Sequence, residues 1–217
     1  MDNFDTFEDN SFGNKPSYGN NNHGGGQQSG FKKGFNRFKP KEPEGPAELY
    51  LPFTVALNPD FPAELRSDLR GILKRFDEQN FTMRTGGNSG EESDIESCVK
   101  RLEIHLPWRG FNDKESKFTF NSTHAFEIAK MFSPNFDKMK DSVKAMFARN
   151  VRMMLGKDLK SPTMALVTWT PDGASSAAER TPKTGFSGQH IAMASAMRVP
   201  VFNLAKPNTL DAIQKYL

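Results

Sequence analysis

The chain has 217 residues, of which 36% are hydrophobic and 25% are charged, and its formal net charge is +3. This length allows one domain with an appendage or two small domains, and so small a net charge does not by itself indicate a nucleic-acid-binding protein. The chain contains no apolar run of the roughly 18 residues that a membrane helix needs, its acidic start is unlike a signal peptide, and its single cysteine, Cys98, excludes an internal disulfide.

The first segment, residues 1–46, differs sharply in composition from the rest of the chain. It contains runs of Gly, Asn and Gln but no Leu, Ile or Val. Without branched aliphatic side chains a segment cannot bury enough apolar surface to offset the entropy lost on ordering. We therefore expect a disordered tail over residues 1–46 and one folded domain over residues 47–217.

Two charge patterns divide this tail. Residues 1–12 alternate acidic and Phe side chains, whereas a later arm alternates Phe with basic residues: Phe31, Lys32, Lys33, Phe35, Arg37, Phe38 and Lys39. Basic and aromatic side chains together can pair with phosphates and stack on bases of a single strand. The acidic end is suited to docking on a partner protein, and a merely solubilising tail is the third interpretation.

Beyond the tail, strand-like and helix-like segments alternate. The pattern predicts strands at 47–57, 81–84, 101–107, 163–170 and 199–204. It predicts helices at 62–78, 91–100, 137–155, 189–198 and 208–217, with Gly156 ending the longest of them. Pro52 suggests an edge position or a bulge for the first strand. The order predicts an α/β fold, a doubly wound and mostly parallel Rossmann-like sheet of about five strands.

A glycine-rich turn follows the second predicted strand. Its residues are Arg84, Thr85, Gly86, Gly87, Asn88, Ser89 and Gly90. Glycine lets a ligand approach the backbone closely, and backbone N–H groups with a nearby arginine favour phosphate. Glu91 and Glu92 oppose this interpretation because their charges would repel an anion, and an ordinary tight turn is the alternative.

A second polar turn region follows the fourth predicted strand. Its candidate ligand-binding residues are Thr170, Asp172, Gly173, Thr184, Gly185, Phe186, Ser187 and Gly188. Trp169 or Phe186 would stack on a base, whereas the alternative is a core tryptophan with a helix-capping turn. Ligands of open parallel sheets bind at the carboxyl ends of the strands, so both turns are expected to border one anion-sized hollow.

Four segments in order carry a family resemblance: MRTGGNSG, EIHLPWRGFN, ALVTWTPDG and TGFSGQHIAMASAMRVPVFNLA. Together they resemble the SLOG superfamily of Rossmann-like proteins, and within it the phage-encoded members similar to DNA-processing protein A (DprA) and the LOG-like nucleotide binders. The resemblance covers about residues 81–205. It implies a protein that binds a nucleotide or single-stranded nucleic acid, encoded by a phage and acting in DNA recombination, replication or processing in the host cytoplasm.

Two departures from the family pattern bear on activity. The first turn continues with Glu91 and Glu92, which displaces Asp94, and the LOG-type catalytic Glu motif is absent, with Gln189 and His190 in its neighbourhood. These departures favour binding over catalysis. The alternatives are a LOG-like enzyme that cleaves a nucleotide N-glycosidic bond, with Asp94, Asp172 or Glu179 as its carboxylate, and a protein that sequesters a nucleotide-derived signal.

The remaining expectations concern metals, cofactors and assembly. The four histidines are isolated from one another and from Cys98, which argues against a metal site. No cofactor is expected apart from a bound nucleotide. The apolar residues of the longest helix are compatible with either a core or a homodimer interface.

Overall fold

The computed structural model describes residues 49–119 and 121–217, so the predicted tail and its basic arm lie outside the described residues. Five parallel strands form one sheet in the order β3-β2-β1-β4-β5. Their bounds are β1 Pro52–Leu57, β2 Thr82–Thr85, β3 Leu102–Ile104, β4 Leu166–Trp169 and β5 Val201–Asn203. The predicted α/β class and the number of strands are confirmed.

Crossover helices connect the strands, as parallel pairing requires. They are α1 Arg66–Glu78, α2 Glu91–Asp94, α3 Thr123–Met131, α4 Asp141–Leu155 and α5 Ser187–Met197, and a further helix, α6 Thr209–Tyr216, follows the last strand. α4 begins four residues later than predicted because Phe136–Lys138 forms a separate 3-10 turn. Among the described residues, no helix combines the length and apolar character needed to span a bilayer.

The edge position predicted for the first strand is wrong. β1 is the central strand, paired with β2 on one side and with β4 on the other. Pro52 is tolerated there because it is the first residue of the strand, where its missing N–H removes no bond from the middle of the ladder. Its carbonyl still accepts a 2.7 Å hydrogen bond from the N–H of Met164.

Helices cover both faces of the sheet, which confirms the doubly wound architecture. On one face, Phe53 and Val55 pack with Leu69 and Phe76 of α1 and Ile213 of α6. The opposite face packs against α4 and α5 in a second core cluster, whose fully buried members include Ala129, Val151, Met154, Leu166 and Ile191. The alternation of side chains along each strand sends neighbouring residues into different clusters, as with Leu166 and Val167.

The strand order also fixes where the chain changes direction. From β1 the chain continues through β2 to β3 on one side, and β4 then pairs with the other side of β1. In sheets of this kind the crevice outside the carboxyl ends of the strands, near this switch, is the usual ligand site.

Candidate functional site

A cavity of about 520 Å³ opens at the carboxyl edge of the sheet. We call it the rim pocket. Its lining comprises residues 57–59 at the end of β1, residues 88–92 after β2, residues 111–112 after β3, Met146, Arg149 and Asn150 of α4, and Phe186. The volume is within the range of roughly 300–1,000 Å³ typical of small-molecule sites. Parts of both predicted turns therefore border one cavity.

A buried arginine forms the positive centre of the rim pocket. Arg149 is only 4% exposed, and its Nη1 donates hydrogen bonds to the carbonyl of Gly86 and to Oδ1 of Asn88. Within the described part of the chain, Nε and Nη2 have no hydrogen-bond partner and no carboxylate lies within 4.0 Å of the guanidinium. Burial lowers the pKa of Arg149 to about 10, so the group remains charged at neutral pH.

Gly86 lacks a side chain at the point where Arg149 packs against the turn. A Cβ atom built there would overlap the guanidinium of Arg149. The glycine thus allows α4 to bring its arginine directly against the backbone that follows β2, a close approach that a larger residue would prevent.

A carboxylate of the chain itself holds this turn. Glu92 is 3% exposed; its Oε1 accepts a 2.7 Å hydrogen bond from the N–H of Gly86, and its Oε2 accepts one of 3.0 Å from Nδ2 of Asn88. Among the described residues, no group accepts a hydrogen bond from the N–H groups of residues 87–90. The N–H of Gly86 is therefore bonded within the turn, whereas the four N–H groups of residues 87–90 remain free.

Arg84 and Thr85, also predicted at the first turn, lie in β2 rather than in the pocket, and Gly86 and Gly87 do not line the pocket either. Arg84 is 1% exposed, and its guanidinium donates to Glu103, to the hydroxyl of Tyr50 and to the carbonyl of Ser161. Thr85 is buried and donates to Glu96. The structure does not bring these two side chains to the rim pocket, whereas Asn88, Ser89 and Gly90 line it.

Arg84 belongs instead to a buried polar cluster. Burial would raise the pKa of Glu103, but hydrogen bonds from His105 and Tyr50, with the charge of Arg84, lower it to about 2. Burial lowers the pKa of His105 to about 4 despite its contact with Glu103. The cluster joins β2, β3 and the segment before β1, which is a structural use of the arginine.

Most of the second turn region is committed to internal hydrogen bonds. Asp172 accepts from the N–H and hydroxyl of Thr181 and from the hydroxyl of Thr184. Burial acts to raise the pKa of Asp172, but these hydrogen bonds, with one from Thr170, hold it well below its usual range. They fasten residues 174–183 to the end of β4.

Only Phe186 of the second set lines the rim pocket. Gly185 has a φ of +63° and lies close to Nδ2 of Asn58, which lines the pocket from the end of β1. Ser187 contacts the carbonyl of Ala56. The other residues of this set do not line the pocket: Thr170, Asp172, Gly173, Thr184, Gly185, Ser187 and Gly188. The second turn thus contributes one aromatic side chain.

Aromatic side chains flank the pocket. Phe186 is 61% exposed and makes an edge contact with Phe147, while the ring of Phe111 lies 6.0 Å from the guanidinium carbon of Arg149. Trp108 packs edge-on against Phe111 and is 40% exposed. Trp169, by contrast, packs against Phe61 in the core. The exposed rings offer surfaces on which a base or another flat group can stack.

The residues of α4 that define the site were not among those predicted from the sequence. Arg149 and Asn150 lie three and four positions after Met146, so a helix places all three on one face. Arg149 and Asn150 are polar residues on an otherwise apolar face of α4, and this pattern in the sequence could have identified them. The carboxylates predicted for catalysis, Asp94, Asp172 and Glu179, do not line the rim pocket.

Comparisons of the chain with protein-family models, with curated proteins and with solved structures gave no match.

Proposed function

We propose that this protein binds the phosphate group of a nucleotide or of single-stranded nucleic acid in the rim pocket. The observation that carries the proposal is the buried guanidinium of Arg149, which has no carboxylate partner among the described residues. Buried charges in proteins are normally paired, because an unpaired ion loses its hydration without compensation. Glu92 offsets the charge of Arg149 only from across the turn, without direct contact, so an anionic ligand supplies the direct partner.

The surrounding groups suit the rest of a nucleotide. Arginine offers a planar set of donors that matches a phosphate, and residues 88–90, whose N–H groups are free, line the same cavity. The exposed ring of Phe186 and the half-buried ring of Phe111 provide aromatic surface for a base. A cavity of about 520 Å³ accommodates far more than an inorganic phosphate.

The resemblance to the phage-encoded, DprA-like members of the SLOG superfamily supports the nucleic-acid form of this proposal. The resembling segments include the turn at 83–90 and the segment at 103–112, both of which contribute residues to the rim pocket. On this basis we propose a role in phage DNA recombination, replication or processing. The basic arm of the tail would then provide further phosphate contacts.

Calorimetric titration of the full chain tests the proposal directly. The probes are thymidine monophosphate and a short thymidine oligonucleotide, and the variants are Arg149→Met and, as a matched control, Arg70→Met, which removes an exposed arginine of α1. We expect Arg149→Met to weaken binding about tenfold to a hundredfold, the value of one or two hydrogen bonds to a charged group, and Arg70→Met to have no effect. Unchanged binding by Arg149→Met, with folding confirmed by circular dichroism, would refute the proposal.

Salt dependence separates a strand from a single nucleotide. Affinity for a strand that neutralises several phosphates falls steeply with salt concentration, whereas a single contact gives a shallow slope. Replacing Lys32, Lys33 and Arg37 of the basic arm by Gln in the full chain should reduce the slope for the oligonucleotide and leave thymidine monophosphate unaffected. An unchanged slope would exclude the arm from the interface.

A further inference from the structure

The charges around the rim pocket do not match a highly charged ligand. Its lining contains one arginine, Arg149, and two carboxylates, Glu91 and Glu92, and all three side chains are largely buried. A ligand with one negative charge is attracted by the arginine, whereas every further charge meets two carboxylates that are themselves largely buried. The pocket therefore has an upper limit to the ligand charge that it tolerates.

Glu92 already occupies the anion position of the turn. Its carboxylate takes the N–H of Gly86 and the amide of Asn88 at 2.7 and 3.0 Å. These donors are not free for a second negative group of a ligand. The carboxylate is fixed in place by both bonds, so it cannot easily turn away from an incoming anion.

Glu91 adds a second negative charge on the same side. Its side chain is 6% exposed, Oε2 lies 2.6 Å from Nε of Arg66, and Oε1 has no hydrogen-bond partner among the described residues. Arg66 offsets this charge only in part, because its own side chain is 50% exposed and is screened by water. The ion pair between Arg66 and Glu91 therefore does not give this side of the rim pocket a net positive charge.

Resting on the proposed function, we infer that the rim pocket selects a phosphodiester over a terminal phosphate, with Glu91 and Glu92 as the residues that determine this specificity. A phosphodiester carries a single negative charge, whereas a terminal phosphate, with its second pKa near 6, carries about −1.5 to −2 at neutral pH. The two non-bridging oxygens of a diester can still accept from Nη2 of Arg149. The second charge of a monoester has no cation to meet in the lining.

Two sources supply a singly charged diester: an internal linkage of a nucleic-acid strand and a cyclic nucleotide. Thymidylyl-thymidine, which has one linkage and no terminal phosphate, represents the first source. Cyclic thymidine monophosphate represents the second. Thymidine monophosphate has the same base and sugar with a terminal phosphate, so it is the matched comparison for both.

Competition titrations of these three probes against the full chain test the inference. We expect at least one of the two diesters to bind about tenfold more tightly than thymidine monophosphate, the effect of one additional repulsion between partly buried charges. Glu91→Gln should raise the affinity for thymidine monophosphate by about the same factor and change that of the preferred diester less. The diester that binds more tightly identifies the source.

Glu92→Gln is the second variant, with Glu127→Gln on the exposed surface of α3 as the control. Glu92→Gln removes a charge but also a turn contact, so its melting temperature is measured alongside binding. The inference is overturned if the monophosphate binds as tightly as both diesters, or if Glu91→Gln and Glu92→Gln strengthen all three probes equally. In those cases a loss of binding in Arg149→Met would still support the proposed function. If Arg149→Met binds the probes as tightly as the wild type does, both the proposed function and this inference are refuted.

Discussion

Replacing His190 by Phe should make the stability of the protein less sensitive to acid. His190 lies in α5, is 4% exposed, and has no hydrogen-bond partner for either ring nitrogen among the described residues. Burial, with a smaller contribution from the charge of Arg149, lowers its pKa to about 3 from 6.5. Phe keeps a ring of similar size at this position and cannot take up a proton.

The size of the effect is set by the protons that the unfolded chain binds. Between pH 6.5 and about 3 the unfolded chain binds a proton at this histidine and the folded chain does not, so the free energy of unfolding falls as the pH falls. The loss is about 1.4 kcal/mol for each pH unit, or about 2 kcal/mol at about pH 5. This loss of stability is absent above pH 6.5, where His190 is uncharged in both the folded and the unfolded chain.

His105 acts in the same direction, because burial lowers its pKa to about 4 from 6.5. The two histidines together should therefore cost the wild-type protein about 4 kcal/mol between about pH 7.5 and about pH 5. His190→Phe should remove about half of this loss and leave the contribution of His105 in place.

Urea unfolding at about pH 7.5 and about pH 5 measures this difference. His124→Phe, at an exposed position in the first turn of α3, is the control and should behave like the wild type. The reasoning fails if His190→Phe loses as much stability on acidification as the wild type, since a neutral buried His190 would then contribute nothing to the pH dependence.

Three further substitutions test the pocket and its turns. Arg149→Met should leave the stability of the ligand-free protein within about 1 kcal/mol of the wild type, because about 3 kcal/mol of lost hydration is offset by two hydrogen bonds from a charged donor of about 1.5 kcal/mol each. A melting temperature that falls by more than about 4 °C contradicts this. Gly87→Ala should cost about 3 kcal/mol in urea unfolding, and Gly110→Ala about 1, because both have positive φ but only the first lacks room for a Cβ. Asp172→Asn should release residues 174–183 to limited proteolysis, and an unchanged digestion pattern would count against its anchoring role.

Much of the fold was predictable because local patterns and connectivity agree. The apolar strands and amphipathic helices alternate, and parallel pairing with crossover helices is the only simple way to join them. Pro52 was expected at an edge because the predicted strand begins at residue 47 and places Pro52 in its interior, whereas β1 begins at Pro52. The late start of α4 came from apolar residues that continue the helical spacing into a separate 3-10 turn.

The site was predictable only in part. The order of strands and glycines along the chain predicts that the site lies at the carboxyl edge of the sheet, beside the first turn. It does not predict that Arg149 supplies the positive charge. Arg84 was the nearest arginine in sequence, yet its place within β2 sends its side chain to Glu103 and Ser161. Arg149 is 63 residues from Gly86 along the chain, and only the packing of α4 on the sheet brings the two into contact.

The bond between Glu92 and Gly86 has a consequence for the speed of recognition. Because a side chain of the protein already fixes the backbone after β2, this segment is preorganised, and an incoming molecule does not bear the entropy of ordering a loop. We expect association to follow a single concentration-dependent step, without a slower phase for closure. Changes in ligand preference would then require exchange of side chains rather than remodelling of the main chain.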